Sequence, residues 1–359
     1  MKKKILSLLL VLVWLVCLIC MPVTAETADS RATHQLGDFD NNGVVDNRDV
    51  EYLLWHTLFP EDYPLSVAGD FDHSQQVDNK DVEYLLWHTL YPSDYPLTEK
   101  GESSFQVYFI DVGQADAALI ICDDKTMLID GGNAADSNLM YSFLQNKGIT
   151  KLDYVIGTHA HEDHIGGLTG ALNYAKVDKV YCAATSYNTN AFKNFANAVK
   201  KQGKAIVVPS VGLQFNLGSA SCTVLAVNTT SDINNTSIVL RIVYGQTSFL
   251  FTGDAEKEVE QSMLDRGVTL KSTVLKVGHH GSYTSSSYQF LRAVQAEYAV
   301  ISCGQGNDYG HPHDQVLSRL KNADLTLFRT DLQGDIMCTS DGKTVSFSVT
   351  RNLNANVFQ

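Results

Sequence analysis

Residues 158–167 read THAHEDHIGG and follow the apolar run LDYVIG, so three His and two acids fall within six residues at the end of an expected strand. Groups this polar are packed together only where something compensates their charge, and a metal does so. Side chains alternate on an extended chain, so His159 and His161 project to one side and can grip one ion. Asp163 and His164 come one turn later and point at a second ion, about 3.5–4 Å from the first in binuclear sites. Imidazole with carboxylate suits Zn²⁺, Fe or Mn²⁺ better than Ca²⁺.

Other strand ends carry related chemistry. LIDGG sets Asp130 before two glycines, where a carboxylate can orient metal-bound imidazoles. SFLFTGD ends in Asp254, a candidate to bridge both ions. LKVGHHGS ends in His279 and His280; one of them should complete the second site, and His279 is favoured. In YGHPHD, His311 and His313 could hydrogen-bond a phosphate oxygen or protonate a leaving group. The structural alternative is that His313-Asp314 starts the next helix. Asp163, Asp254 and His313 are the catalytic candidates. From Phe105 onward, twelve apolar runs from FQVYFIDVG to TLFRT read as strands. Helical patterns lie near 165–175, 190–202, 255–266, 286–295 and 313–322. The expected class is α/β (α+β), a sandwich of sheets covered by helices.

Taken in this order, THAHEDHIGG, LIDGG, SFLFTGD and LKVGHHGS resemble the metallo-β-lactamase superfamily over residues 105–350. The resemblance implies an αββα sandwich and two divalent ions, Zn²⁺ or Mn²⁺, on His159, His161, Asp163, His164, Asp254 and His279. Typical members supply a further His between the first motif and the bridging Asp, yet residues 165–253 contain none, so antibiotic hydrolysis is not expected. DINNTSIVLRIVYGQTSFLFTGDAE, VGHHGSYTSSS and SCGQGNDYGHPHDQVLSRL resemble the ComEC-type DNA-uptake competence family. That lineage places Asn235 or Asn234 near the missing ligand. The implied activity is metal-dependent phosphodiester cleavage, on DNA or on a small or surface-bound diester. Hydrolysis of a lactone, thioester or carboxylic ester on the same metals is the alternative. A third reading, from a different class, is a non-catalytic scaffold-bound module that only binds a ligand.

Charge is unevenly spread. Of the net −13, residues 26–100 hold 4 basic and 16 acidic residues, whereas residues 101–359 hold 20 and 24. The hydrolase segment shows no arginine-rich stripe of the kind a processive DNA binder brings. The acidity belongs to an internal repeat within residues 36–97. GDFDNNGVVDNRDVEYLLWHTLFPEDYPLS aligns with GDFDHSQQVDNKDVEYLLWHTLYPSDYPLT at an offset of 32 residues. Each copy has oxygen side chains at positions 1, 3, 5, 9 and 12 of a loop before an apolar helical run, the spacing of an EF-hand-type calcium loop. The side-chain ligands are Asp38, Asp40, Asn42 and Asp49 in the first copy, and Asp70, Asp72, Ser74 and Asp81 in the second. Gln75 replaces the loop glycine that Gly43 supplies, which weakens the second site. With Asp at position 12 and one helix per loop, the segment resembles the dockerin type I family. That resemblance implies a small all-α, calcium-folded domain that docks into a cohesin on a scaffold protein, as in cellulosomes. The twinned Trp55 and Trp87 are expected in its core. Residues 98–104 read as a polar linker.

The chain starts MKKKILSLLLVLVWLVCLICMPVTA, which reads as a signal peptide over residues 1–25. A secreted protein, free of the membrane after cleavage, is the expectation. Five Cys follow it, scattered and without CxxC spacing, and are expected as buried free thiols.

Overall fold

A computed structural model describes residues 35–65, 69–71, 77–92, 97 and 105–358. The signal segment, the linker 98–104 and the ligand candidates Asp72 and Ser74 lie outside the described residues. The chain divides into two compact units, Met1–Glu102 and Ser103–Gln359.

In the first unit, helices α1 (Asn47–Leu58) and α2 (Asn79–Leu90) repeat one design. Asp46 and Asp78 are the N-caps, and each forms a reciprocal capping box with the Asp three residues on, which satisfies N–H groups the helix itself cannot. Their apolar faces bury Val50, Leu53, Leu54, Val82 and Leu85 around Phe39 and Phe71. The tryptophans depart from expectation: Trp55 is half-buried and Trp87 is 38% exposed. At i+4 their neighbours are Phe59 and Tyr91, against which they stack at 6.0 Å, so they cover the helix ends instead of filling the core.

The second unit holds two sheets. The first contains β1 (Phe105–Phe109), β2 (Ala118–Cys122), β3 (Lys125–Ile129), β4 (Lys151–Gly157), β5 (Lys176–Cys182), β6 (Ile206–Val207), β14 (Ile336–Ser340) and β15 (Val345–Val349), in the order β15-β14-β1-β2-β3-β4-β5-β6. The second contains β7 (Gln214–Leu217), β8 (Ala220–Ala226), β9 (Val239–Tyr244), β10 (Thr247–Phe251), β11 (Val274–Lys276), β12 (Tyr298–Ile301) and β13 (Thr326–Arg329), in the order β13-β12-β11-β10-β9-β8-β7. Strand alternation explains the long apolar runs. Phe105, Val107 and Phe109 of β1 and Leu240, Ile242 and Tyr244 of β9 face a shared core between the sheets. Residues of opposite parity face outward, Leu119 and Leu128 beneath one helical layer and Val239 and Leu250 beneath another. The result is the α/β/β/α sandwich that the motifs imply.

All five expected helical patterns form, over 168–174, 190–201, 257–265, 288–294 and 314–322. The helix Ser137–Asn146 and the strands β7, β14 and β15 were not foreseen. In β14 every second residue is only partly buried and in β15 none is fully buried, so neither carries an uninterrupted apolar run. The unit also runs past residue 350: Arg329 Nη1 donates to the Val357 carbonyl at 3.1 Å, and Val357 and Phe358 pack on the outer core. The five described Cys are free and buried.

Candidate metal centre

Parallel strands β3–β4 and β10–β13 deliver their C-terminal ends to one edge of the sandwich, where ligand sites in open sheets commonly form. Asp130 follows β3, His159 and His161 follow β4, Asp254 follows β10, and His279 and His280 follow β11. Two glycines permit the convergence. Gly253 adopts φ +50, and a Cβ there would stand 2.9 Å from the Thr158 side chain. Gly167, at the end of the His-rich motif, lies so close to the Gly131 carbonyl that no side chain fits.

Asp254, almost fully buried, sits at the middle. His164 Nε2 stands 3.3 Å from its Oδ1, and His279, His280 and His159 Nε2 stand 3.6, 3.7 and 3.8 Å from its Oδ2. Asp163, His164, Asp254 and His280 offer ligand atoms all within 4.8 Å of one another. On the other side, His159 Nε2 lies 3.1 Å from His161 Nδ1. Two donor groups thus adjoin, with Asp254 shared. The structure brings together His159, His161, Asp163, His164 and Asp254 as the motifs predict.

Two expectations need correction. His280 completes the Asp163 group, in place of His279: its Nε2 is 3.2 Å from Asp163 Oδ2 and the side chain is 2% exposed, against 19% for His279. Both residues take left-handed backbone, φ 50 and 53, which turns the second imidazole inward and leaves the first at the rim. His279 keeps Nε2 towards Asp254, its Nδ1 being 3.1 Å from Thr284 Oγ1 and 3.3 Å from Glu256 Oε1. His313 is not in the cleft. It precedes the helix Asp314–Asn322, and its Nδ1 accepts the Tyr283 N–H at 3.2 Å. His311 lines the cleft instead.

Each inner imidazole is held from behind. Asp130 accepts from the Thr158 N–H (2.8 Å), from Thr158 Oγ1 (2.7 Å) and from His164 Nδ1 (2.8 Å), which fixes the tautomer that turns Nε2 inward. His280 Nδ1 donates to the Ser302 carbonyl at 3.0 Å and lies 3.3 Å from Asp116, itself paired with Lys276 at 2.9 Å. Asp116 and Lys276 were missed in the sequence. A lone Lys inside the buried strand VLK and a lone Asp in the apolar run ADAALI were the available signals.

Burial alone would push His164 and His280 down, but the carboxylates around them outweigh it. Asp254, Asp130 and Asp163 hold His164 well above its ordinary range, and Asp254 and Asp116 hold His280 at about 10. Burial opposes ionisation of Asp163 and Asp254 as well, yet the same imidazoles bring Asp163 to about 2 and hold Asp254 well below the usual carboxylate range. Burial, unopposed by an equal carboxylate field, drives His159 well below its usual value. The centre is therefore a place of strong negative potential that concentrates positive charge. His164 Nε2, Asp254 Oδ1 and Asn234 Oδ1 are buried with no hydrogen-bond partner among the described residues. Orphaned buried atoms facing each other, of nitrogen and oxygen type, fit divalent transition ions. The two asparagines differ in their surroundings. Asn234 is among the residues that line the cleft, whereas Asn235 Oδ1 accepts the Glu256 N–H at 3.0 Å.

The repeat unit holds a different cluster. Asp38, Asp40 and Asp49 offer oxygens within 4.8 Å of one another. Asn42 Oδ1 accepts the Val44 N–H at 2.9 Å, a bond that curls the loop back on itself. In the second copy, Asp81 accepts the Phe71 and Asp78 N–H groups at 2.6 and 2.8 Å, which repeats the bonds of Asp49, and Asp70 occupies the place of Asp38.

The metallo-beta-lactamase superfamily profile matches residues 110–305. The chain is 33% identical over 272 residues to ComE operon protein 3 of Bacillus subtilis (strain 168), covering 69% of this chain and 34% of that protein. It is also 33% identical over 236 residues to Competence protein ComA of Neisseria gonorrhoeae, covering 65% and 32%. It thus spans about a third of the length of these relatives. Among solved structures, the metallo-beta-lactamase fold protein YhfI from Bacillus subtilis matches with a TM-score of 0.46 at 15% identity, covering 66% of this chain and 100% of that one.

Proposed function

The chain belongs to the metallo-beta-lactamase superfamily and is a metal-dependent hydrolase, and from that premise we propose that its substrate is a phosphodiester. The observation that carries this reading is the pair of adjoining donor groups sharing Asp254. His159, His161 and Asp254 would hold one ion, with Asn234 Oδ1 in the place of the absent third His. Asp163, His164, His280 and Asp254 would hold the other. Divalent ions held by these groups would supply a water of lowered pKa and positive charge to offset that on phosphoryl oxygens, a combination suited to phosphodiesters.

The chain's own residues do the rest. Asp130 and Asp116 keep the imidazoles aimed, and their own burial keeps water from competing for them. His311, pushed down to about 4 chiefly by burial and then by His280 and His279, is neutral at ordinary pH. It is tied to Gln114 at 3.1 Å, so it can hydrogen-bond a substrate oxygen without adding charge. The relatives named for competence support a nucleic-acid substrate.

The N-terminal repeat is read as a calcium-dependent dockerin-like unit that binds a cohesin-type partner, and the first 25 residues as an export signal. Support for the first comes from the repeat pattern and the Asp38–Asp40–Asp49 cluster, and for the second from the residue pattern alone. The test is turnover of bis-p-nitrophenyl phosphate and of DNA with Mn²⁺ or Zn²⁺. Cleavage lost in both His159→Ala and Asp163→Ala, with unchanged circular dichroism, supports the reading. Turnover confined to lactones or carboxylic esters would sink it.

A further inference from the structure

The cleft above Asp254 has a volume of 380 Å³, and of the ten residues lining it three are acidic (Glu162, Asp163, Asp254) and none is Lys or Arg. A polyanion bound there gains nothing from basic side chains of the wall, which in most nucleic-acid binders supply the sequence-independent part of the affinity. One lining residue is built for a different contact. Tyr309 is 70% exposed, yet its ring is not loose. It stacks on His311 with centroids 5.6 Å apart and planes 19° from parallel. The loop beneath is fixed by Asn307, whose Oδ1 accepts the N–H groups of Tyr309 (3.1 Å) and His311 (3.0 Å) and whose Nδ2 donates to the Gly304 carbonyl (2.9 Å). Gln114 clamps the same loop from the opposite strand end, bonding His311 Nδ1 at 3.1 Å and accepting the Gly304 N–H at 3.1 Å. The outcome is a preorganised aromatic surface with its outer face open, at the lip of a cleft that carries the hydrolytic centre.

We propose that Tyr309 is a stacking platform for a nucleobase adjoining the phosphodiester in the cleft, and that the substrate is single-stranded nucleic acid or an unpaired strand end. This rests on the phosphodiesterase reading and adds what selects the substrate. Pairs inside a duplex have both faces covered by their neighbours, so a base along the strand can continue the Tyr309–His311 stack only when it is unpaired. Stacking is indifferent to base identity, so the selectivity is for a base as such, against base-free diesters such as sugar–phosphate polymers.

The test compares two fluorescein-labelled strands of equal length, oligothymidylate and its abasic deoxyribose-phosphate counterpart. Binding is followed by anisotropy in the full chain carrying Asp163→Ala, and cleavage in the otherwise unchanged chain. The base-bearing strand should bind about tenfold tighter than the abasic one, and Tyr309→Ala should collapse that ratio towards unity while Tyr309→Trp keeps it. Equal binding of the two strands, or a ratio that survives Tyr309→Ala, overturns the proposal even if DNA is cleaved. A Tyr309-dependent ratio without any cleavage leaves the platform standing and sinks the phosphodiesterase reading instead.

Discussion

The loop at residues 38–49 and the centre around Asp254 both gather carboxylates, by opposite routes. In the loop every ligand candidate lies within twelve residues, and the backbone of the loop itself holds the side chains. Asp38 accepts the N–H groups of Asn42 and Gly43, and Asp49 accepts those of Phe39, Asp40 and Asp46. In the centre the bonded pair Asp163 and His280 are 117 residues apart, and the groups that steady them, Asp130 and Asp116, come from other strand ends. Local bonds pre-form the loop with little help from packing. The centre exists only once two sheets have closed, and it keeps orphaned nitrogen and oxygen atoms that the loop lacks among its described residues. The lesson is that spacing along the chain reports on hard-cation loops, whereas an imidazole centre is a property of the whole sandwich.

The largest expected effect separates the two neighbouring histidines. His280→Ala removes a buried ligand candidate and should cost at least about a hundredfold in affinity at one of the two metal sites, with hydrolysis falling in parallel. His279→Ala, at the rim, should cost roughly tenfold or less. Metal stoichiometry by mass spectrometry, alongside turnover, reads the difference. The reverse ranking would return the ligand role to His279 and break the assignment of the inner group.

A second effect contrasts the units through their protons. In the metal-free centre, imidazoles hold Asp163 at about 2 instead of 3.8, so this group stabilises the fold above pH 3.8 and the contribution is lost as pH falls through 2. His280, raised from 6.5 to about 10, stabilises below 6.5 and loses that contribution as pH rises through 10. Through these two groups the stable window runs from about pH 4 to 6.5, and His159 and His311, both lowered by burial, move the optimum of the metal-free hydrolase unit to its upper end, near pH 6.5. Asp49 in the loop has the opposite sign. Its carboxyl is raised, first by burial, so the calcium-free repeat should lose stability as pH rises through the range just above 3.8. Beyond residue 25 the only Trp are Trp55 and Trp87, so tryptophan fluorescence reports the repeat and far-ultraviolet dichroism chiefly the sandwich. Parallel slopes in the two signals near pH 4 would contradict the contrast.

The same division governs how much could be read in advance. Strands buried on both faces, such as β10 and most of β3, announce themselves as apolar runs, and the motifs after β4 and β10 located five of the six inner ligand candidates. What failed depends on direction, not composition. Nothing in GHHG says which imidazole turns inward; the left-handed backbone at both positions decides it. His311 and His313 are only two residues apart, and the packing of the loop against Gln114 puts His311 in the cleft. Asp116 and Lys276 were legible as polar residues in apolar strands, since a buried Lys at 5% exposure demands a partner. Strands β14 and β15, at one end of the first sheet, carry polar residues between their apolar ones and offer no apolar run to recognise.

The smallest predicted effect is also the cleanest probe of the loop. Gly43 sits at φ +87 with nothing within 4 Å of the position a Cβ would take. Gly43→Ala therefore meets no clash, and its cost is the backbone conformation alone, about 1 kcal/mol. Since the curled loop is the state that binds calcium, the affinity of the first site should fall about fivefold. A calcium titration followed by Trp55 and Trp87 fluorescence measures it. The second copy carries Gln75 at the equivalent place, so Gln75→Gly should shift its site by a similar factor in the other direction. If neither substitution moves the titration, the loops are not curled around a cation and the calcium reading fails. If only Gly43→Ala does, the second loop has found another way to turn.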